Sequence, residues 1–363
     1  MKAWMKGRVW QIIFLTFIFA FAVSITPAQA LDFKAWADIN YADLSKDAPD
    51  KFGGSNSDKI ASFKLGQLSL HAHGDLGENL DATTEIAFSS GSSPTIARLY
   101  VAYTFDELLK IRAGKWHKPI GYWNTTFHHG ALLKTTIDSP LTQSLVPIHE
   151  TGLWALGTYN SDPLRLDYGF SVTNGDRING SSSSTNDTSD NNNNKPILFH
   201  MRAHPSAIPA LGIGISGILD KMQIFKTSSD TVPTGQVSQQ IYVVDLEYIN
   251  QQIELLSEYF YFNDKDELQG KGTNKSEGSY IQLGYTIANR FMPYARFEKL
   301  SLREKDPYFT ALSGTPDQQK TLVGLRYNMS SNSALKGEVS FIDLTKPSSD
   351  NYWKYAVQWA FAF

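Results

Sequence analysis

Bulky apolar positions alternate with small or polar ones, at a period of two, along most of this chain. The final residues show it most clearly. Trp353, Tyr355, Val357, Trp359, Phe361 and Phe363 are bulky, and Tyr352, Lys354, Ala356, Gln358, Ala360 and Ala362 lie between them. Such a segment is a strand with one greasy face and one small or polar face. Leu164, Leu166, Tyr168, Phe170 and Val172 alternate in the same way with Arg165, Asp167, Gly169, Ser171 and Thr173, as do Leu80, Ala82, Thr84, Ile86 and Phe88 with Asp81, Thr83 and Glu85. Segments 99–105, 109–113, 242–248, 253–261, 279–287, 321–327 and 335–341 read as further strands, and 33–42, 152–159, 197–204 and 211–219 complete the regular set. The second face often carries charge, as at Lys110 and Arg112, Asp245 and Glu247, Glu254 and Glu258, and Lys336 and Glu338.

Two segments are less regular. Between Ala61 and Ala72 the apolar phase runs Ala61, Phe63, Leu65 and then slips to Leu68, Leu70, Ala72, which predicts a bulge near Gly66. In 290–300, Phe291, Pro293, Ala295 and Phe297 share one side, opposite Tyr294, Arg296 and Glu298, and the proline weakens the pairing.

The total is about sixteen strands, and the lengths of their connections distinguish two architectures. Connections 43–58, 89–95, 117–150, 174–195, 221–238, 263–277, 302–318 and 344–351 are mostly long, whereas those between them, such as Asp106-Glu107, Asn250-Gln251 and Ala288-Asn289, are short and turn-like. Long loops on one end and short turns on the other, with an even strand count, describe an all-β transmembrane antiparallel β-barrel with long external loops and short periplasmic turns. A soluble sandwich explains the period of two but not this regular alternation. In hydrocarbon every backbone N–H and C=O must be paired, so a sheet spans only if it closes on itself. The apolar set then faces lipid and the charged set lines a wet lumen, wide enough at sixteen strands for an aqueous channel.

The first thirty residues stand apart from this pattern. Lys2, Lys6 and Arg8 precede an almost wholly apolar run from Ile12 to Val23, and Ala28-Gln29-Ala30 offers small residues for cleavage. This is the pattern of a secretory signal peptide, leaving 31–363 as the barrel. The whole chain has 363 residues with 33 Lys+Arg against 36 Asp+Glu, a balance that excludes a strongly basic nucleic-acid binder. Losing three basic residues leaves 30 against 36, a formal charge of −6. The zero cysteine count excludes disulfides, thiolate metal sites and a cysteine nucleophile.

The signal-peptide pattern, the sixteen strands and the aromatic alternation ending in Phe363 together resemble the outer-membrane porins of Gram-negative bacteria. The segment Ile111-Arg-Ala-Gly-Lys-Trp-His-Lys-Pro-Ile-Gly-Tyr122 is similar to the fifth strand and loop start of the phosphate-type porin-like proteins. The resemblance implies an outer-membrane channel for passive diffusion of small hydrophilic solutes, a homotrimer, contact with outer-membrane lipids and lipopolysaccharide, and recognition of Phe363 by the barrel-assembly machinery. The acidic Pro-Glu-Phe-Gly loop of the classical general porins is absent, so their pore charges do not carry over.

Connection 117–150 is the longest and so the one expected to fold inward. In the porin resemblance this is the loop that narrows the channel. Trp116, Tyr122, Trp123 and Phe127 supply rigid bulk, and Gly121 and Gly130 permit close backbone approach. Its charges are chiefly Lys118, Lys134, Asp138 and Glu150, and the opposing basic wall is Arg98, Lys110, Arg112 and Lys115. Opposed charges across a narrow wet gap would bias ion entry toward weak anion preference. The same residues can equally form lumen salt bridges that stiffen the barrel.

His117, His128, His129 and His149 lie in or beside the loop, and His200 and His204 share a strand face, at spacings that match no zinc motif. No Gly-x-Ser-x-Gly elbow, Walker A loop or dinucleotide fingerprint is present, and no cofactor or enzymatic activity is expected. Two other functions share the fold: a non-transporting barrel for adhesion or envelope integrity, and an outer-membrane lipid hydrolase. Residues 174–195 are polar and rich in turn formers, which predicts a mobile external loop.

Overall fold

The computed structural model describes residues 31–45, 61–89, 92–127, 130–175, 177–179, 182–184, 194–225, 230, 232–267, 272–303, 306–311, 317–346 and 350–363. The signal-peptide segment, His128, His129 and the polar stretch 185–193 lie outside them.

The strands follow in chain order. First come β1 (Asp32–Leu44), β2 (Ser62–Leu65), β3 (Gln67–Gly77), β4 (Leu80–Ser89), β5 (Thr95–Thr104), β6 (Lys110–His117), β7 (His149–Ser161) and β8 (Leu164–Thr173). Two three-residue strands, β9 (Arg177–Asn179) and β10 (Ser182–Ser184), form a small hairpin in the next loop. The rest are β11 (Ile197–Pro205), β12 (Leu211–Phe225), β13 (Gly235–Ile249), β14 (Ile253–Asp266), β15 (Gly272–Tyr285), β16 (Phe291–Ser301), β17 (Asp317–Ser330), β18 (Ser333–Lys346) and β19 (Asn351–Ala362). β2 and β3 are halves of one spanning strand, so sixteen strands make the wall. Each pairs antiparallel with its neighbours, and β19 returns to β1, from Trp36↔Ala362 to Leu44↔Lys354. The backbone groups of Ala35 and Phe363 exchange two hydrogen bonds, 2.9 and 3.0 Å, that complete the seam. Closure leaves no sheet edge, the condition a hydrocarbon surround imposes.

The bulge falls where the phase slip places it. Gly66 separates β2 from β3, and its N–H donates to the Asp38 carbonyl at 2.8 Å. A Cβ there would fall 1.8 Å from Asp38 Oδ2, so any larger residue would displace the Asp38 carboxylate from its bonds to Asn40, Gln67 and Gln358.

The two faces divide as the alternation predicts. Leu99, Leu153, Leu283 and Val323 point outward, 53%, 60%, 53% and 54% exposed. Aromatic pairs stand at both ends of this outer surface, Tyr41–Phe63 and Phe341–Trp353 at the long-loop end and Phe291–Tyr327 and Tyr103–Phe105 at the short-turn end. That is the arrangement of interfacial girdles.

Three expectations change. β12 to β15 reach farther toward the long-loop end than the apolar pattern suggests, shrinking two connections to 226–234 and 267–271. There the ladder continues through polar residues such as Lys221, Gln240 and Asn263, because hydrogen bonding needs no apolar side chain once a strand has left lipid. The loop after β8 is not wholly irregular, since β9 runs parallel to the end of β12. Finally, the inner face is not polar throughout. Ile218, Ile241, Val243, Phe260, Phe262 and Leu300 point inward and form a buried apolar cluster with Ile120, Leu145 and Val146 of the long loop. Alternation cannot reveal this, because both faces of Tyr259-Phe260-Tyr261-Phe262 are aromatic.

Candidate functional site: the lumen and its inward loop

The segment between β6 and β7 folds into the barrel. Its ends are tied where Lys118 N–H donates to the Ile148 carbonyl at 2.8 Å, and Asn124 Nδ2 donates to both the Lys118 and Ile148 carbonyls, at 2.7 and 3.0 Å. Between them runs a short helix, α1 (Gly121–Thr126), which Gly121 enters at φ +68°. The loop ends in a 3₁₀ turn, Leu141–Ser144. From the far side a second short helix, α2 (Pro307–Ala311), packs Tyr308 and Phe309 against Phe262, and Tyr308 Oη donates to the Leu145 carbonyl at 2.6 Å.

An irregular segment inside a barrel carries backbone donors and acceptors that need partners. The wall supplies both. Carboxylates accept the loop's donors: Glu258 Oε1 from Trp123 N–H at 2.6 Å, Glu254 Oε2 from the Thr135 hydroxyl at 2.8 Å, and Glu338 Oε2 from Ile137 N–H at 2.9 Å. Cations donate to its carbonyls: Arg326 to Lys134 at 2.8 Å, Arg296 to Asp138 at 2.9 Å, and Lys336 to Ala131 at 2.5 Å. At the centre the Asp138 carboxylate receives Lys320 Nζ at 2.7 Å and Lys354 Nζ at 2.6 Å. Burial alone would raise the Asp138 pKa, but the two lysines hold the carboxyl well below the usual carboxylate range.

The opposite wall carries the basic residues. Arg98 Nε donates to Glu85 and Lys110 Nζ to Asp81, each at 2.5 Å. The Arg112 guanidinium lies over the rings of Tyr100 and Trp154, 4.0 and 4.6 Å from their centroids, and has no carboxylate partner among the described residues. Farther round, Arg202 bridges Asp245 and Glu247 and stacks over Tyr122.

The structure therefore brings together only part of the constriction set read from the sequence. Arg98, Lys110 and Arg112 share the inner face. Lys115 does not, because the register sets it opposite Leu99 and Thr151, in the outward phase. Lys118 is buried at the loop's root. Asp138 turns away from the basic wall toward Lys320 and Lys354. Glu150 accepts from Trp116 Nε1 at 2.8 Å and from the Ser171 hydroxyl at 3.0 Å. The transverse field expected between loop acids and wall bases is thus mostly spent in local pairs. Sequence reasoning missed the anchoring role of Glu254, Glu258, Arg296, Lys320, Arg326, Lys336, Glu338 and Lys354. The available signal was charge of both signs at mid-strand on successive strands.

The histidines also settle locally. The rings of His117 and His149 lie 5.1 Å apart across β6 and β7, His200 packs edge-on to Trp154, and His204 Nε2 lies 3.6 Å from Asp167.

The loop leaves cavities on both sides. One, of about 500 Å³, lies against Lys110, Trp154, His200 and Arg202, with Gly121 and Thr125 from the loop. The other, of about 610 Å³, lies against Trp36, Asn40, Gln67 and Gln358, with Lys134 and Gln143 from the loop.

No family model and no curated protein sequence matches this chain. Solved structures do. An anion-selective porin from Comamonas acidovorans superposes with a TM-score of 0.64 at 14% identity, over 93% of this chain and 100% of that one. OmpF of Salmonella typhi, in complex with daunomycin, gives 0.61 at 13% identity over 92% and 97%. A loop L8 deletion mutant of OmpT, an outer membrane protein of Vibrio cholerae, gives 0.60 at 15% over 93% and 100%. At such identities the likeness is one of fold, and that fold is the porin-like outer-membrane barrel.

Proposed function

We propose that this protein is an outer-membrane channel for passive diffusion of small hydrophilic solutes, exported by a cleaved segment 1–30 and assembled as a homotrimer with lipid and lipopolysaccharide against its apolar belt. The observation that carries this reading is a closed barrel with an apolar outside and open space on both sides of an inward loop, lined in part by charged and polar side chains. Recognition of Phe363 by the assembly machinery suits its place in the closing seam. Planar-bilayer recording tests the reading. Discrete conducting steps support it, and a folded, heat-modifiable barrel without conductance defeats it.

A weak anion preference follows from the inner wall, and Arg112 is its strongest element. Lys110 and Arg98 are each bonded to a carboxylate, whereas Arg112 forms no ion pair among the described residues and lies against aromatic faces, which attract a cation without cancelling its charge. Arg112→Gln is expected to move the reversal potential in a salt gradient toward cations, and Lys110→Gln/Arg112→Gln to move it farther. Reversal potentials unchanged in both variants would leave the preference without a source.

A further inference from the structure

We propose that the cavity between the loop and strands β1, β3 and β19 is a binding site for a neutral polyol of mono- or disaccharide size. This deepens the channel reading above, since solute reaches the cavity through the lumen.

Gln143 carries the argument. It lies on the 3₁₀ turn of the loop, is 8% exposed, and lines this cavity. Neither its Oε1 nor its Nε2 has a hydrogen-bond partner among the described residues. A buried polar atom left unpaired costs about 1–3 kcal/mol, so a carboxamide with both ends unmet marks a place where something beyond the chain supplies a donor and an acceptor together. Adjacent hydroxyls on a polyol do this. One accepts from Nε2 while its neighbour donates to Oε1.

Asn40, Gln67, Ser69 and Gln358 add polar side chains to the lining, several of them already bonded within the wall, with Asn40 Nδ2 and Gln358 Nε2 donating to Asp38 and the Ser69 hydroxyl to Glu85, while Ile137, Leu141 and Ile148 add apolar surface. Its two charged members, Asp38 and Lys134, cancel in formal charge. Asp38 is moreover already engaged, accepting from Asn40 Nδ2 at 2.5 Å, Gln67 N–H at 3.1 Å and Gln358 Nε2 at 3.2 Å. Lys134 forms no ion pair among the described residues, and its ammonium donates to a hydroxyl oxygen as it would to an anion, so a neutral molecule that both donates and accepts can meet Gln143 and Lys134 together. Trp36 adds a flat apolar surface on the same cavity, against which the C–H face of a sugar ring stacks. The volume of about 610 Å³ is within the ordinary range for small-molecule sites and accommodates one or two sugar rings.

The test is isothermal titration of the full-length folded barrel in detergent with glucose and with sucrose, and with sodium chloride as the ionic control. Saturable binding of a sugar, weakened at least tenfold in Gln143→Leu and in Trp36→Ala, is expected, with no saturable heat from the salt. Gln143→Leu keeps the side chain's bulk in a loop position, and heat-modifiable migration verifies folding of each variant. No saturable sugar binding to the unmodified barrel, or equal affinity in folded Gln143→Leu, overturns the site and leaves bound water as the partner of Gln143. Conductance without sugar binding overturns this inference alone. Sugar binding without conductance overturns the channel reading and keeps the site.

Discussion

Asp138→Ala is expected to loosen the inward loop while leaving the barrel wall assembled. The substitution strips the carboxylate from between Lys320 and Lys354, whose side chains are 6% and 29% exposed, and leaves Lys354 without its ion-pair partner and Lys320 with only the more distant Glu298, 3.8 Å away. Removing one partner from a buried ion pair costs about 3–5 kcal/mol, chiefly because the remaining charge stays desolvated. The wall is held by its backbone ladder, so the loss falls on the loop. Single-channel recordings should show noisier and larger currents, and protease should cut within 130–148 in the variant only. Asp138→Leu combined with Lys320→Met and Lys354→Met removes these three charges together, leaves Glu298 paired with Arg296, and should restore a quiet channel. A quiet, protease-resistant Asp138→Ala channel would show that the apolar seat alone holds the loop.

The pH behaviour of this clamp follows from the sign of the shift. A carboxyl whose pKa is lowered on folding contributes stability above its unfolded value, near ~3.9, and loses that contribution only as pH falls through the lowered folded value. The clamp should therefore hold unchanged from neutrality to about pH 5. Asp138→Asn should abolish it at every pH.

Gly121→Val is expected to unseat the other end of the loop. Gly121 enters α1 at φ +68°, a region that costs a β-branched residue roughly 1–3 kcal/mol. A Cβ there would also stand 2.9 Å from Glu258 Oε1, the atom that accepts Trp123 N–H. Glu258 is 1% exposed and has no room to retreat without breaking that bond. Gly121→Val should lower the temperature at which the barrel loses compact migration and raise current noise, with Gly121→Ala intermediate. Gly337→Ala is the control, because a Cβ there meets nothing within 4 Å. Equal behaviour of Gly121→Val and Gly337→Ala would remove Gly121 from the account of how the loop is seated.

Particular residues show how far the sequence could be read. The phase slip at Gly66 located a bulge because a one-residue insertion reverses every later side chain, a local event that leaves a local trace. Pro293 sits in the outward phase of β16, as the flanking Phe291 and Phe297 indicate. Lys115 was open to the same reasoning, since it is odd-numbered where Lys110 and Arg112 are even. Asp138 was not. Its partners lie 182 and 216 residues away, and nothing near position 138 announces two lysines on β17 and β19.

The sequence by itself determined the apolar core of each spanning strand, its lipid-facing side, the sixteen-strand barrel and, with the porin resemblance, which connection folds inward. Each follows from a short-range condition, that alternate residues meet lipid or lumen and that connections are short or long. Only the tertiary structure decided which wall the loop leans on, which charges it consumes and where Gln143 is left unmet. Those depend on the stagger of sixteen strands around a closed ring, which places residues from opposite ends of the chain side by side and leaves no periodic mark in either.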